Sequence, residues 1–211
     1  MRHLLFLALI PAAAAAQVSF GTAALIDDGW AFSLGDNANA KQAAFDDHAW
    51  RRVELPHDWS IEETPTEKLG SCTGYLPGGI GWYRKTVNIS TRKGGEKVFL
   101  YFEGVYNRSE VYFNGHLLGK RPNGFVSFVY DATPFVKFDG ENTIAVRVDH
   151  HLSADSRWYT GSGINRNVFL IRSGFQHIAP FGVFVQPEVG KGEGARLRIA
   201  TELQNETDQP T

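Results

Sequence analysis

The sequence predicts an all-β sandwich, and three observations carry that prediction. Short apolar or alternating runs recur along the chain, an Asn-Gly pair lies between two of them, and clusters rich in Gly, Pro and Asn separate them. Beyond the first residues we find no convincing amphipathic helix. With 211 residues, 43% of them hydrophobic, the chain can build one large core, or one domain and part of a second.

Four segments carry the strand prediction. Residues 98–102 are apolar at every position, which is typical of a strand buried between two layers. Residues 110–118 contain Asn114-Gly115, and these residue types accept the positive φ angles of a tight type I′ hairpin. Residues 143–149 are apolar at alternate positions, which predicts a strand with one face in the core and one in water. Residues 167–171 form a further short strand.

A change of composition after Ser173-Gly174 predicts a domain boundary. Residues 177–189 and 195–203 are predicted to be two more strands, joined by a glycine-rich link and followed by a polar stretch. Two strands alone are marginally stable in water. We therefore interpret residues 17–174 as one domain and residues 175–211 as the incomplete start of a second sandwich, so that the chain is predicted to be a fragment.

The first sixteen residues have the pattern of a cleaved signal peptide. Arg2 and His3 precede an apolar run that ends at Ile10, and Pro11 with five alanines supplies the small residues that signal peptidase accepts. The run is far shorter than the ~20 residues that span a bilayer. We expect a periplasmic or secreted protein that begins near Gln17 and has no membrane attachment after cleavage.

Composition argues against several other classes of function. The net charge is −2 and the basic residues are scattered, so the concentrated basic face of a nucleic-acid-binding protein is lacking. The single cysteine, Cys72, excludes an intramolecular disulfide, and we interpret it as a loop residue rather than a reactive thiolate. His150 and His151 are adjacent, so on a strand they would point to opposite faces and share no metal ion.

Two long loops are where chemistry is expected, because a sandwich presents ligand-binding groups from its loops and sheet faces. Residues 55–84 and 148–166 are too rich in aromatic residues, glycine and charge to be plain connections. In and around these loops the chain contains, in order, WR, LPHDW, GGIGWYRK, FEGVY, NGHLLG, GFVSFVYDAT, NTIAVRVD, SRWYTGSGINR and HIAPFGVFV. From Trp30 onward it resembles the β-galactosidases of glycoside hydrolase family 2.

That resemblance implies a jelly-roll, galactose-binding-like domain, then an immunoglobulin-like domain, and then a TIM barrel with two catalytic glutamates beyond Thr211. Retaining glycosidases need two carboxyl groups about 5–5.5 Å apart. Glu62-Glu63 would diverge on a strand, and Asp27-Asp28 and Asp46-Asp47 lie in turn-like contexts. We therefore expect no catalytic residue in this chain and no hydrolysis by residues 17–211 alone.

The best candidates for sugar binding lie within residues 148–166. A flat ring can cover the apolar face of a pyranose, and a guanidinium donates several hydrogen bonds to hydroxyls. Arg157, Trp158 and Tyr159 fit that description, and the resemblance implies that their loop completes the pocket for the non-reducing sugar. Asp155 is a further candidate, because some family members carry a carboxylate just before this tryptophan. The alternative is that Trp158 packs in the sandwich and Arg157 pairs with a carboxylate.

Two further segments with aromatic and polar residues are interpreted as structural. His57 beside Asp58 would need a nucleophile and a shared geometry to be catalytic. The resemblance instead places His57-Asp58-Trp59 where a strand passes into a loop. Trp82 and Tyr83, at the start of the GWYRK strand, are predicted to pack in the core or at an interface.

The resemblance also implies partners. It implies a β-galactoside substrate and the protein's own downstream barrel, and it leaves homo-oligomer formation open. It implies no cofactor for this stretch, although family members often use Mg²⁺ or Na⁺ near the barrel. Two alternatives stay open: a free-standing carbohydrate-binding module, which would end near Ser173, and the same enzyme family acting on β-glucuronides, β-mannosides or α-arabinopyranosides.

Overall fold

The computed structural model describes residues 20–69, 74–92, 95–151, 159–189 and 194–207. Within these ranges the chain forms two antiparallel sheets and a separate hairpin, with short 3-10 helices and no α-helix. None of the helices in these ranges is long and apolar enough to cross a membrane. The all-β prediction is confirmed.

The described strands, in chain order, are β1 (Thr22–Leu25), β2 (Trp30–Leu34), β3 (Arg51–Val53), β4 (Gly79–Ile89), β5 (Lys97–Phe102), β6 (Ser109–Phe113), β7 (His116–Arg121), β8 (Phe128–Asp131), β9 (Gly140–His150), β10 (Val168–Ser173), β11 (Gln176–Val189) and β12 (Ala195–Asn205). One sheet has the order β3-β2-β4-β9-β6-β7, and the other has the order β1-β10-β5-β8. The chain crosses repeatedly between them, as in a jelly roll.

The core lies between the two sheets. Strands β5 and β9 are central in opposite sheets, and their inward side chains are fully buried in one continuous cluster. Burial of each large aliphatic side chain contributes roughly 1.5–3 kcal/mol to folding. The inward residues of these two strands are Val98, Leu100, Phe102, Ile144, Val146 and Val148.

The predicted Asn-Gly hairpin is confirmed. Strand β6 ends at Phe113 and β7 begins at His116, with Asn114 at φ 50° and Gly115 at φ 86° between them. The Asn114 side chain also fixes the turn to the neighbouring strand, because its Oδ1 accepts from the backbone nitrogen of Thr143 at 2.9 Å. The turn residues and the contact with β9 therefore both favour the observed β6–β7 hairpin.

The outer face of β9 is less exposed to water than the alternating pattern predicts. The prediction that this face lies in water is wrong at Ala145. Ala145 is only 1% exposed and packs with Ala40 and Trp82 in a second, small cluster. The segment around residues 38–47 covers this part of the sheet. Arg84 of β4 holds it there by donating to the carbonyl of Ala40 and, from Nε, to Asp47 at 2.8 Å. Burial by a loop, which strand periodicity cannot show, explains the difference.

The two strands predicted after the composition change are confirmed as β11 and β12, which pair with each other. The base of this hairpin packs on the first sandwich, since His177 and Ala179 are 1% and 4% exposed. Lys97 of β5 joins it there through Glu206, at 2.7 Å from Nζ to Oε2. Farther along, the apolar side chains of the hairpin are exposed, among them Phe181, Val183, Phe184, Val185, Val189, Leu197, Ile199 and Leu203.

Candidate functional site

Two loops meet at one end of the sandwich. The start of β4 pairs with the end of β9, Gly79 opposite His150, so the loop before β4 and the loop after β9 emerge at the same edge. The backbone nitrogen of His57 donates to the carbonyl of Ile164 at 2.8 Å, and that of Trp59 donates to Ser162 at 3.0 Å. We call residues 57–62 the first loop and residues 159–164 the second loop.

The Asp58 carboxylate joins the two loops. Its Oδ1 accepts from the backbone nitrogens of Ser60 at 3.0 Å and Ser162 at 2.8 Å. Its Oδ2 accepts from the hydroxyl of Tyr159. The bond from Ser60 caps the 3-10 helix Trp59–Glu62. The other two bonds reach the second loop, so one carboxylate serves both.

Two glycines in the second loop make this close approach feasible. Gly161 has φ +77°, and a Cβ there would lie 2.9 Å from Oδ2 of Asp58. Gly163 has φ +134°, and a Cβ there would lie 2.4 Å from the hydroxyl oxygen of Tyr83. Any larger residue would strain the backbone and push the second loop away from the first. The glycines of the TGSGI sequence therefore have a direct steric role.

A network of buried polar groups supports the first loop from behind. His57 is 9% exposed, and its Nδ1 lies 2.6 Å from the hydroxyl of the fully buried Tyr83. Its Nε2 lies 3.1 Å from Arg51 and 3.3 Å from Glu62. Burial lowers the pKa of His57, although the Glu62 carboxylate opposes the shift. A neutral ring that accepts from Arg51 at Nε2 donates from Nδ1 to Tyr83.

Glu62 does not offer a catalytic acid. Partial burial acts to raise its pKa, but the hydrogen bond and positive charge of Arg51 act against it, and the pKa lies below its usual range. Glu62 is therefore ionised at neutral pH, whereas a general acid needs a raised pKa. The premise that Glu62-Glu63 lies on a strand is wrong, because Glu62 ends the 3-10 helix and Glu63 is its C-cap. Asp58 caps the start of that helix and so stabilises it.

A chain of hydroxyls and one imidazole continues the junction into the sandwich. The Ser162 hydroxyl oxygen lies 2.5 Å from that of Ser60 and 2.7 Å from Nδ1 of His150. His150 is 4% exposed, whereas the adjacent His151 is exposed and bonds to Asp149. The two histidines therefore differ in burial and in partner. The described ranges contain no group of three or more His, Cys, Asp or Glu that could hold a metal ion.

Among the predicted sugar-binding residues, the structure places Tyr159. Asp155, Arg157 and Trp158 lie outside the described residues, as does Cys72. The Tyr159 side chain is 41% exposed, and a Cβ on Gly74 would stand 3.6 Å from its ring. Burial and the hydrogen bond to Asp58 raise the pKa of the Tyr159 hydroxyl, so it remains a donor at neutral pH. An exposed ring with a fixed hydroxyl can cover the apolar face of a sugar.

Sequence reasoning missed Asp58. It treated His57-Asp58-Trp59 as a structural unit, which fits the burial of His57 and Trp59, the latter at 1% exposure. The carboxylate of Asp58 instead contacts a candidate sugar-binding residue 101 positions away in the chain. The available signal was local: an Asp before a short helical turn is a preferred N-cap. Nothing in a single sequence indicates the second loop as its other partner.

A surface cavity of about 380 Å³ lies beside the first loop. Its apolar side comes from Phe32, Leu34 and Trp59, and its polar side from Arg51, Glu62 and Glu63. Arg51 and Glu62 already pair with each other, which leaves Glu63 as the exposed acceptor of the group.

Comparisons with known proteins agree with this architecture. Residues 81–168 match the family described as glycosyl hydrolase 2 galactose-binding domain-like. The chain is 46% identical over 181 residues to the β-galactosidase BoGH2A of Bacteroides ovatus, covering 85% of this chain and 21% of that protein. It is 31% identical over 203 residues to a β-glucuronidase of Formosa agariphila, covering 84% of this chain and 20% of that protein.

A solved structure supports the same relationship. A β-glycosidase from Bacteroides vulgatus superposes with a TM-score of 0.84 at 43% identity, covering 90% of this chain and 25% of that one. The chain thus spans about a fifth of the length of the curated relatives it matches. These relatives are glycoside hydrolases, and the shared part has the sandwich described above. The chain therefore belongs to glycoside hydrolase family 2 and carries that family's galactose-binding-like domain.

Proposed function

We propose that this chain is the amino-terminal part of a periplasmic or secreted, exo-acting β-galactosidase and helps to form the pocket for the non-reducing sugar. The observation that carries the proposal is the loop junction: Tyr159 stands exposed at the end of the sandwich with its hydroxyl held by Asp58. It directly follows the Asp155, Arg157 and Trp158 candidates in sequence. The 46% identity to a β-galactosidase supports the choice of sugar.

In this proposal the chain binds and orients the sugar, and a downstream TIM barrel cleaves the bond. Retaining hydrolysis needs an acid/base and a nucleophile about 5–5.5 Å apart. Asp58 and Glu62, the carboxylates of the first loop, are both occupied by donors from the chain itself. Purified residues 17–211 should therefore show no turnover of an aryl β-galactoside. Turnover by a contaminant-free preparation would overturn this division of labour.

Arg157 provides the sharpest test of the sugar-binding role. A guanidinium bond to a sugar hydroxyl or a barrel carboxylate is charge-assisted, so its loss costs roughly 1.5–3 kcal/mol. In the full-length protein, Arg157→Ala should lower kcat/KM by about 10- to 150-fold, and Arg157→Lys should recover little. Arg52→Ala is a matched control, since Arg52 is largely exposed and its nearest carboxylate atom, on Asp47, lies 3.9 Å away. Unchanged kcat/KM with a lowered melting temperature would assign Arg157 to the scaffold.

The substrate class can be tested directly. A β-glucuronidase stands among the relatives, so β-glucuronides are the second candidate substrate. We expect the full-length protein to show its highest kcat/KM on an aryl β-galactoside when aryl β-glucuronide and β-mannoside are compared. A preference for the glucuronide would make the protein a β-glucuronidase and would leave the proposed retaining mechanism unchanged. Glycan binding without turnover of any of the three would favour a free-standing binding module.

The proposal includes two statements about the ends of the chain. Residues 1–16 are proposed to be a signal peptide, and amino-terminal sequencing of the exported protein should begin near Gln17. Residues 175–211 are proposed to start an immunoglobulin-like domain. The exposed apolar side chains of β11 and β12, such as Phe184 and Ile199, support this, because a further layer would bury them.

A further inference from the structure

The Asp58 carboxylate makes more hydrogen bonds than its own loop requires. One bond, from the backbone nitrogen of Ser60, is sufficient to cap the 3-10 helix. Two more come from the second loop, from the nitrogen of Ser162 and the hydroxyl of Tyr159. Gly161 leaves room for this contact, since a Cβ there would press against Oδ2. The additional bonds act on the loop that carries Tyr159.

Asp58 stands on a rigid support. The next residue, Trp59, is 1% exposed, its Nε1 donates to the carbonyl of Gly78 at 3.1 Å, and its backbone nitrogen donates to Ser162 at 3.0 Å. The Ser60 hydroxyl donates to the carbonyl of Pro77 at 2.7 Å. The carboxylate therefore has a fixed position relative to the sandwich.

Among the described residues, Tyr159 has fewer supporting contacts than Asp58. It is 41% exposed, and within the described residues its hydroxyl bonds to the Asp58 carboxylate. A half-exposed aromatic side chain loses rotamer freedom when it binds a ligand, and a bond that fixes it beforehand reduces that loss. Because the acceptor is charged, the bond is of the stronger kind.

We propose that Asp58 is a positioning residue, which holds the Tyr159 ring in the orientation that contacts the sugar. This inference rests on the proposed function, since it assumes that Tyr159 contacts the non-reducing sugar. Asp58 itself acts through Tyr159 and the second loop, and it already accepts three hydrogen bonds from the chain. It therefore tunes the affinity for the sugar without touching the bond that is cleaved.

The test uses the full-length protein with an aryl β-galactoside and measures KM, kcat and the inhibition constant of free galactose. Tyr159→Ala should lower kcat/KM about 10-fold, and Tyr159→Phe about 3- to 5-fold, mainly through a higher KM. Asp58→Ala should lower kcat/KM about 10-fold in the wild-type background and less than about 2-fold in the Tyr159→Ala background. The inhibition constant of galactose should rise in parallel, which a purely structural role would not cause.

A matched control is available away from the loop junction. Tyr112 of β6 also donates its hydroxyl to a carboxylate, that of Glu110, on the outer face of the six-stranded sheet. Tyr112→Phe removes the same kind of bond and should leave KM and the inhibition constant of galactose unchanged. Melting temperatures of all variants, measured on the same preparations, show that the kinetic comparison is made on folded protein.

The outcomes separate the two proposals. If Tyr159→Ala leaves kcat/KM and galactose inhibition unchanged, the sugar-binding role of Tyr159 fails, and the positioning role fails with it. If Tyr159→Ala is impaired but Asp58→Ala is equally harmful in both backgrounds, positioning fails and the proposed function stands. Should Asp58→Ala fail to fold, Asp58→Asn keeps an acceptor for the two backbone nitrogens. Its effect should then vanish when combined with Tyr159→Phe, and additive effects would overturn the inference.

Discussion

The first sandwich and the β11–β12 hairpin both contain strands with apolar side chains, but they differ in what covers these side chains. Strand β5 is apolar on both faces, with Leu100 fully buried towards the other sheet and Phe99 4% exposed on the outer side. In the hairpin, Phe184 and Ile199 are 64% and 60% exposed. Alternating apolar residues thus create a core only where a second layer faces them. The hairpin has the strand pattern but, within the described residues, no facing layer beyond its base.

The joint between the two regions is electrostatic as well as apolar. Lys97 is 8% exposed and its Nζ lies 2.7 Å from both Asp131 of the sandwich and Glu206 of the hairpin end. Burial acts to lower the pKa of Lys97, but the two carboxylates outweigh it and raise the pKa. His177 packs on Phe99 nearby, with ring centroids 5.6 Å apart. The base of the hairpin therefore belongs to the first sandwich in its contacts, although the sequence places the boundary before it.

The largest expected difference between the regions concerns truncation of a single aliphatic residue. Leu100→Ala leaves a cavity between two sheets and should lower the free energy of unfolding by about 2–5 kcal/mol. Ile199→Ala removes a side chain that is 60% exposed, and its effect should stay within about 0.5 kcal/mol. Urea unfolding of residues 17–211 measures both. Similar losses for the two variants would mean that the hairpin shares the core of the sandwich.

A smaller effect is expected at the joint. Lys97→Met keeps the buried stem but leaves Asp131 and Glu206 without their cation, so unfolding should become easier by about 1–3 kcal/mol. Hydrogen exchange should accelerate most in residues 203–206, while residues 98–102 stay slow. Glu206→Gln is the milder partner variant, since Lys97 retains Asp131. Unchanged exchange at the end of the hairpin in Lys97→Met would show that apolar contacts alone hold the joint.

The smallest expected effect concerns the response of the first sandwich to acid, through His57. Because burial lowers the pKa of His57, the folded protein binds a proton there less readily than the unfolded chain, whose histidine has a pKa of about 6.5. Stability from this group is fully present above that value and is lost as pH falls through the lower folded pKa. His57→Gln should therefore flatten the decline in melting temperature between about pH 7 and pH 5. An equal decline in both proteins would place the acid sensitivity elsewhere.

The sequence predicted the elements whose causes are local. The Asn114-Gly115 turn follows from the φ angles these residues accept, and strands β5, β9, β10, β11 and β12 follow from apolar patterns a few residues long. It also directed attention to the second loop and to Tyr159. It failed where a distant segment changed the environment: Ala145 is covered by a loop, and Glu62 lies in a helical turn that Asp58 caps.

The sequence by itself therefore determined the all-β class, the approximate positions of strands β5 to β7 and β9 to β12, and the family motifs, because each depends on residues that are close together in the chain. Only the tertiary structure decided how these parts act on one another. The Asp58 carboxylate meets the Tyr159 hydroxyl across 101 positions, and Lys97 meets Glu206 across 109. Such contacts exist only after the sheets have paired, since pairing is what brings the two loops to the same edge and the hairpin base onto the sandwich.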